Sequence, residues 1–472
     1  MGEIRLPNDF KQLLGELMNS NEKNDFLDSM QETPKTSIRL NPRKGQCLDT
    51  QLSYKTAQHC SDVHVLSERP SFIGDPGWHC GAYYVQEFNS TRVGETVRWL
   101  LPNFEIGSLV LDLCGAPGGK STHISSVLRP GDLLIANEVI QSRNPILIEN
   151  LSKWGEANFV VTRADASDFG KNKGLFSVVV ADMPCSGEGM FRKDNKAIEE
   201  WSLPHVKLCA SRQKRIADDI WTSLEVGGYF IYSTCTFNVQ ENEENVEHIC
   251  KVLGGKTVTL PSHLVGNSVS LLSNTYRFYP HTTEGEGLFL AVIQKTPLTD
   301  PLTREHTFHA VKNKKRDSGK KAVELPDGVG LQWVGYSNHH EETSVVKNGA
   351  WLDKHPHLLE TLPKISAAGI PIGLFNKNLW KPSAAIDLLC EGPIKTYPHL
   401  EISIEQAIQY YQREFLSIKT PMKGVVGLRW NGLSLGTGNA VNQGINNLWP
   451  NGWRIHQKST VATTILARNS RM

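Results

Sequence analysis

Between Ser108 and about Gln294, apolar runs of strand length recur, each followed by a turn and then a helical stretch. That repeat predicts a parallel sheet wrapped by helices. The candidate strands are 109–113, 133–137, 159–162, 176–181 and 229–233. All are near-continuously apolar, as strands buried on both faces must be. A closing pair is expected at 276–279 and 287–293. The predicted fold class is therefore α/β, a doubly wound, mostly parallel Rossmann-like sheet over residues 101–296. Ahead of it, 1–100 reads as an N-terminal α+β extension, helical from Asp9 to Met30 and then in shorter elements around Ser37 to Lys44. Residues 297–326 are Pro-containing and carry a Lys- and Arg-rich run from Lys312 to Lys321, which reads as a linker or an exposed basic loop. Beyond it, short apolar runs separated by Gly, Pro and Asn predict a small module over 327–399 and a β-rich module over 400–472.

Composition excludes several classes of function. Lys and Arg number 50 against 49 Asp and Glu, so the net charge is +1 and no global field pulls the chain onto a polyanion. Any nucleic acid must be met by local patches. No stretch approaches the ~20 apolar residues that cross a bilayer, and Met1 to Pro7 shows no apolar signal core. The expected address is cytoplasmic, without a membrane partner. The nine cysteines include no C-x-x-C pair, which argues against a disulfide framework or a zinc ribbon, so no metal is expected and each cysteine is read singly.

The densest chemical signal is Leu111-Asp-Leu-Cys-Gly-Ala-Pro-Gly-Gly-Lys-Ser-Thr122, where a strand ends and a Gly-rich turn opens a helix. Backbone N–H groups at such a turn face an anion. A phosphate-cradling loop needs G-x-x-x-x-G-K-[ST], but the register ending Gly119-Lys120-Ser121 begins on Cys114, and Gly115 comes one residue late. The competing ligand is S-adenosylmethionine, whose amino-acid end and adenosine would lie across the carboxyl ends of the strands, past the loop of Cys114, Gly115, Ala116, Pro117, Gly118, Gly119 and Lys120. Acidic residues at successive strand ends favour it. Glu138 lies 26 residues after Asp112, and Asp165 and Asp182 follow the next two strands. Carboxylates on one rim suit ribose hydroxyls, an adenine amine and a sulfonium, and repel a triphosphate.

Two further segments, Ala181-Asp-Met-Pro-Cys-Ser-Gly-Glu-Gly-Met-Phe-Arg-Lys-Asp194 and Ser233-Thr-Cys-Thr-Phe-Asn-Val-Gln-Glu-Asn-Glu243, each place a cysteine just past a buried strand. Cysteine is ordinarily a small buried hydrophobe, and Cys209 and Cys250, on predicted helices, are read that way. Cys185 and Cys235 differ because both leave their strands at the rim where a cofactor's methyl group would lie. A cysteine beside a methyl donor suits carbon 5 of a pyrimidine: thiolate addition at carbon 6 makes carbon 5 nucleophilic enough to take the methyl group. Asp182 is placed to hydrogen-bond the ring N3 and exocyclic amine of cytosine, with Lys120 close enough to pair with it.

Together these motifs resemble the Sun-type RNA cytosine-5 methyltransferases. The string from Asp182 to Glu243, with Phe191-Arg-Lys-Asp194, Trp201-Ser202 and Arg212-Gln213 between, is most similar to the bacterial small-subunit ribosomal RNA methyltransferase F group. The resemblance covers about 100–290. It implies that Cys235 is the nucleophile, that Cys185 assists release of the product, and that Cys114 to Lys120, Glu138, Asp165 and Asp182 bind S-adenosylmethionine. The extension resembles the family's RNA-facing segment at Arg39-Leu-Asn41 and Tyr83-Tyr-Val-Gln-Glu87. It departs from it at Phe88-Asn-Ser-Thr-Arg92, where the family has an Ala/Ser-rich helix start. Gly432-Leu-Ser-Leu-Gly436 through Asn446-Asn-Leu-Trp-Pro450 and Arg454 are similar to its PUA-like RNA-binding module, with Asn439 and Asn446 in place of lysines. The expected activity is S-adenosylmethionine-dependent methylation of RNA, chiefly 16S ribosomal RNA, at carbon 5 of cytosine. Transfer RNA is the alternative substrate. A P-loop nucleotide hydrolase and a non-catalytic RNA-binding scaffold in ribosome assembly are the readings from other classes.

Overall fold

The chain is described from a computed structural model, over residues 4–44, 46–47, 52–297, 321–322, 333–337, 342–376, 379–391, 397–456 and 468–469. Strands β1 (Leu109–Asp112), β2 (Leu133–Asn137), β3 (Phe159–Thr162), β4 (Phe176–Asp182), β5 (Leu224–Thr234), β6 (Gly255–Thr257), β7 (Thr275–Phe278), β8 (Leu288–Lys295) and β9 (Ile365–Ala368) form one nine-stranded sheet. Its order is β6-β8-β5-β4-β1-β2-β3-β9, with β7 also paired to β8. The five strands from β5 to β3 are mutually parallel, and the outer pairings are antiparallel. The order reverses at β1, which lies between β2 and β4, so the crevice for a ligand opens past the carboxyl ends of β1 and β4.

Alternate residues of these strands feed two cores. Val110, Leu134, Val161, Val178 and Ile231 pack under helices α1 (Thr91–Leu100), α2 (Gly119–Val127) and α3 (Asn144–Trp154). Leu111, Ile135, Val160, Val179 and Phe230 pack under α4 (Leu203–Trp221) and α5 (Glu243–Leu253). Burial on both faces explains why the strands read as unbroken apolar runs.

The departure at Phe88–Arg92 has a packing role of its own. Asn89 donates to the backbone oxygen of Glu286, and Arg92 is buried against Phe278, 4.5 Å from the ring centroid, while donating to Leu264 O. One turn on, α1 crosses α2 so closely that a Cβ on Gly94 would fall 2.3 Å from Cγ of His123. The stretch expected to be helical from Asp9 to Met30 is two helices, Asn8–Leu17 and Ser20–Ser29, because the Asn19 side chain accepts from Glu22 N and caps a new start. The four-stranded antiparallel sheet of the extension has the order 54–56, 63–66, 36–40, 83–85.

The segment expected as a separate module over 327–399 also edges the central sheet, since β9 lies antiparallel on β3. Its remaining strands make a second sheet, Glu342–Lys347 beside Ile370–Asn376. Residues 312–320 of the basic run lie outside the described residues. The last module is a four-stranded sheet over 399–447 with helix Ile404–Tyr411, which opens on a Ser403–Gln406 capping box. Its core is continuous with Ile38 and Tyr83 of the extension. Asn439 and Asn446, the two positions without lysine, sit directly opposite each other on neighbouring strands.

Gly94→Ala forces the Cβ against a buried imidazole and is expected to cost about 1–3 kcal/mol. A lowered thermal midpoint checks this; an unchanged one contradicts the close α1–α2 crossing.

Candidate active site

β1 ends on Asp112, which is fully buried. Its Oδ2 accepts from Ser121 Oγ at 2.6 Å, and its Oδ1 has no partner although it too is buried. Burial raises the Asp112 pKa to about 6. Ser121 also donates to the Gly115 carbonyl at 3.3 Å, and a Cβ on Gly115 would come within 2.8 Å of Ser121 Oγ. The loop therefore closes on the first turn of α2 only with glycine at 115. Gly118, the residue before α2, has φ +119°, a conformation that glycine adopts freely. Cys114 lies in this loop with its thiol pKa pushed well up by burial, so its side chain is an inert filler.

Along the rim, Glu138 at the end of β2 accepts from Ile140 N at 2.8 Å and faces Arg143 at 3.5 Å. Arg143 in turn donates to Ala116 O, tying β2 to the Gly-rich loop. Asp165, after β3, is half exposed and caps a short helix by accepting from Ser167 N and Oγ. Burial alone would raise its pKa, but those bonds and Arg215 hold it below the ordinary carboxylate value. It stands farther out on the rim than Glu138.

Asp182 ends β4. It accepts from Lys120 Nζ at 2.7 Å and from Ser233 Oγ at 2.9 Å. Burial would lower the Lys120 pKa, but Asp182 and Asp112 outweigh it and raise it, so the ammonium persists. Past the ends of β4 and β5, Cys185 and Cys235 meet with their sulfurs 3.1 Å apart. The Cys185 pKa is driven well up, first by its bond to Cys235 and then by burial.

Two buried carboxylates hold the loops carrying these cysteines. Glu188 Oε2 accepts from the N–H groups of Phe237 (2.6 Å) and Asn238 (3.0 Å), while its Oε1 accepts from Trp201 Nε1 and Asn238 Nδ2. Glu241 reciprocates across the gap, accepting from Ser186 N, Gln213 Nε2 and Asn238 Nδ2. Each loop thus supplies the acid that satisfies the other's backbone. The N-terminal helices cap this pair: Phe10 packs edge-on to Phe191 at 5.1 Å and Phe26 edge-on to Phe237 at 5.3 Å. Arg39 binds the opposite flank, donating to Gln86 (2.8 Å) and Thr122 (2.7 Å) while lying 4.3 Å over the Trp154 ring.

Of the residues expected from sequence, the structure brings Cys114 to Lys120, Asp182, Cys185 and Cys235 around one crevice and sets Glu138 and Asp165 along its rim. Cys209 is buried, and Cys250 is packed against the core. Sequence reasoning gave no role to Asp112 as a polar group, nor to Glu188, Asn238 and Glu241. The signal for the last three was present, since charged or amide residues recur among small and apolar ones inside both cysteine motifs.

Family models match three stretches of the chain. "16S rRNA methyltransferase RsmB/F" matches 99–294, "N-terminal domain of 16S rRNA methyltransferase RsmF" matches 6–88, and "Methyltransferase RsmF PUA domain" matches 397–455. The chain is similar to a ribosomal RNA small subunit methyltransferase F of Vibrio vulnificus, 29% identical over 80% of each chain. It is also similar to one of Psychromonas ingrahamii, 28% identical over 95% of this chain and 97% of that one. Among solved structures, NSun6 from Pyrococcus horikoshii with SFG shares the fold at TM-score 0.52 and 18% identity, covering 62% of this chain and 98% of that one.

Glu188→Ala leaves two N–H groups of the Cys235 loop and the Trp201 indole without a partner. At 1–3 kcal/mol for each buried group left unpaired, the expected loss is at least about 3 kcal/mol. Urea unfolding checks it, and a wild-type midpoint contradicts the clamp.

Proposed function

The chain belongs to the 16S rRNA methyltransferase RsmB/F family, and from that premise we propose that it methylates carbon 5 of a cytosine in small-subunit ribosomal RNA through a covalent bond to Cys235. The observation that carries the reading is the 3.1 Å meeting of Cys185 and Cys235 beside the Lys120–Asp182 pair, at the switch point of the sheet.

The site suits S-adenosylmethionine. The partnerless Asp112 Oδ1 needs a donor, which the amino group of a methionine end would be, and Glu138 and Asp165 offer acceptors to hydroxyls and an amine. Cys114 to Lys120 would hold it through the loop backbone. Bound there, it supplies an electrophilic methyl group.

Cys235 adds to carbon 6 of the cytosine, and the electron pair displaced onto carbon 5 would take the methyl group as the methyl–sulfonium bond breaks, that bond's pair staying on the sulfur as a neutral thioether. Carbon 5 then gives its proton to solvent, the C–H pair forms the carbon 5–carbon 6 double bond, and the sulfur–carbon bond breaks with its pair leaving on Cys235. Cys185, with its sulfur 3.1 Å from that of Cys235, is placed to assist the release. No histidine acts on Cys235 in this scheme. Lys120 keeps a positive charge near it. Asp182, bonded to Lys120, accepts from the exocyclic amine and fixes the base. Carbon 6 cannot be approached inside a stacked helix, so the cytosine must be unpaired or flipped.

Bisulfite sequencing of small-subunit ribosomal RNA from cells with and without the gene tests the reaction: one protected cytosine is expected to disappear. Protection lost in transfer RNA instead would move the substrate there, and no change in either pool would overturn the reading. Cys235→Ala is expected to abolish methyl transfer with cofactor affinity within a few-fold of wild type. Cys185→Ala is expected to accumulate a gel-stable protein–RNA adduct, and its absence with RNA bound would remove the two-cysteine scheme.

Asp112 gives a pH signature. Below about pH 6 its carboxylate takes up a proton and loses the charge that would attract the cofactor's ammonium. Affinity for S-adenosylmethionine is expected to fall by roughly ten-fold between pH 7 and 5, and Asp112→Asn to be weaker and flat with pH. A flat wild-type profile, measured by calorimetry, would contradict this role.

A further inference from the structure

A second cavity, of about 440 Å³, lies where the extension, α3 and the C-terminal module meet. Trp78 and Tyr84 line it from the extension, Ile146 and Lys153 from α3, and Trp453 and Arg454 from the last module. Trp78 is 38% exposed and Ile146 46%, so apolar surface is open to solvent at this junction. Trp453 is held in place: it packs edge-on to Trp449 at 5.3 Å, and its carbonyl accepts from Trp449 Nε1 at 3.0 Å. Lys153 lies 5.6 Å from both indole centroids and is paired with Glu149. Arg454 is exposed and makes no ion pair among the described residues.

The wall facing the catalytic crevice is Tyr84. A Cβ on Gly119 would stand 3.3 Å from Tyr84 Cε1, and Asn150 Nδ2 reaches both Tyr84 Oη (3.5 Å) and Pro117 O (2.7 Å). The residue after Gly119 is Lys120, which holds Asp182. Tyr84 and Asn150 therefore stand between the cavity, which both line, and the Gly-rich loop of the crevice.

We propose that this cavity receives an unpaired nucleotide of the RNA substrate next to the target cytosine, its base against Trp78 and Trp453 and its phosphate on Arg454. The inference rests on RNA being the substrate. Aromatic faces beside a cation unpaired among the described residues are what a single strand requires, because every base has a face to stack and every link carries a charge. A purely apolar occupant would leave Arg454 without a use. Through Tyr84 and Asn150, a nucleotide held here would lie one side chain away from the loop that carries Lys120.

The test uses the full chain and a single-stranded RNA oligonucleotide carrying 2-aminopurine, whose fluorescence is quenched on stacking. Wild type is expected to quench it. Trp78→Ala is expected to bind about ten-fold more weakly and quench less, and Trp78→Phe to recover most of both. Arg454→Ala is expected to weaken binding and to reduce its salt dependence by about one released counterion. Wild-type affinity and quenching in both Trp78→Ala and Trp453→Ala would overturn the proposal. Trp78 is exposed, so its variants remain informative if Trp453→Ala misfolds. The fluorescence reads binding without methyl transfer, so a chain that quenches yet transfers no methyl group counts against the reaction and not against this subsite.

Discussion

Two carboxylates sealed from water set the geometry on which the chemistry depends. Glu188 follows Cys185 by three residues and Glu241 follows Cys235 by six, and each accepts from a backbone N–H of the other's loop. A buried acid without its donors costs more than the fold can spare, so neither loop can drift without stranding a charge. That reciprocity holds the sulfurs at contact distance, in a region of the chain that is otherwise irregular backbone.

The remaining architecture serves the same crevice from three sides. The parallel sheet aims Asp112 and Asp182 at one point, and α2 returns Ser121 and Lys120 to meet them. From the extension come aromatic rings that cap the cysteine loops and Arg39, which reaches the far side of α2. The C-terminal module shares a core with that extension, so its tryptophans stand at a fixed place relative to the Gly-rich loop. RNA meeting the last module would thus be held in register with the chemistry, although the net charge is only +1.

How much of this could be read from the chain varied with the range of the forces involved. The strands of the central sheet were legible because burial on both faces leaves an unbroken apolar run. The break at Asn19 was hidden because the apolar spacing runs past it, and only the cap marks a new helix. Strand β9 was illegible in a different way: Ile365–Ala368 pairs with a strand about 200 residues earlier, and no local pattern encodes that partner. Glu188 and Glu241 stood in plain view within the motifs, yet an acid in a Gly-rich stretch reads equally well as a solvated turn until its donors are located.

The sequence by itself determined the class of sheet, the Gly-rich turn, the acidic rim and the two cysteines, because each follows from residues close together in the chain and from periodicity that burial imposes. Tertiary structure decided that the sulfurs of Cys185 and Cys235 meet, that Asp112 keeps a buried oxygen without a partner, that Asp165 caps a helix out on the rim, and where the three parts of the chain enclose a second cavity. Those properties depend on distances between groups remote in sequence and on the desolvation that packing creates, and neither exists until the chain has folded.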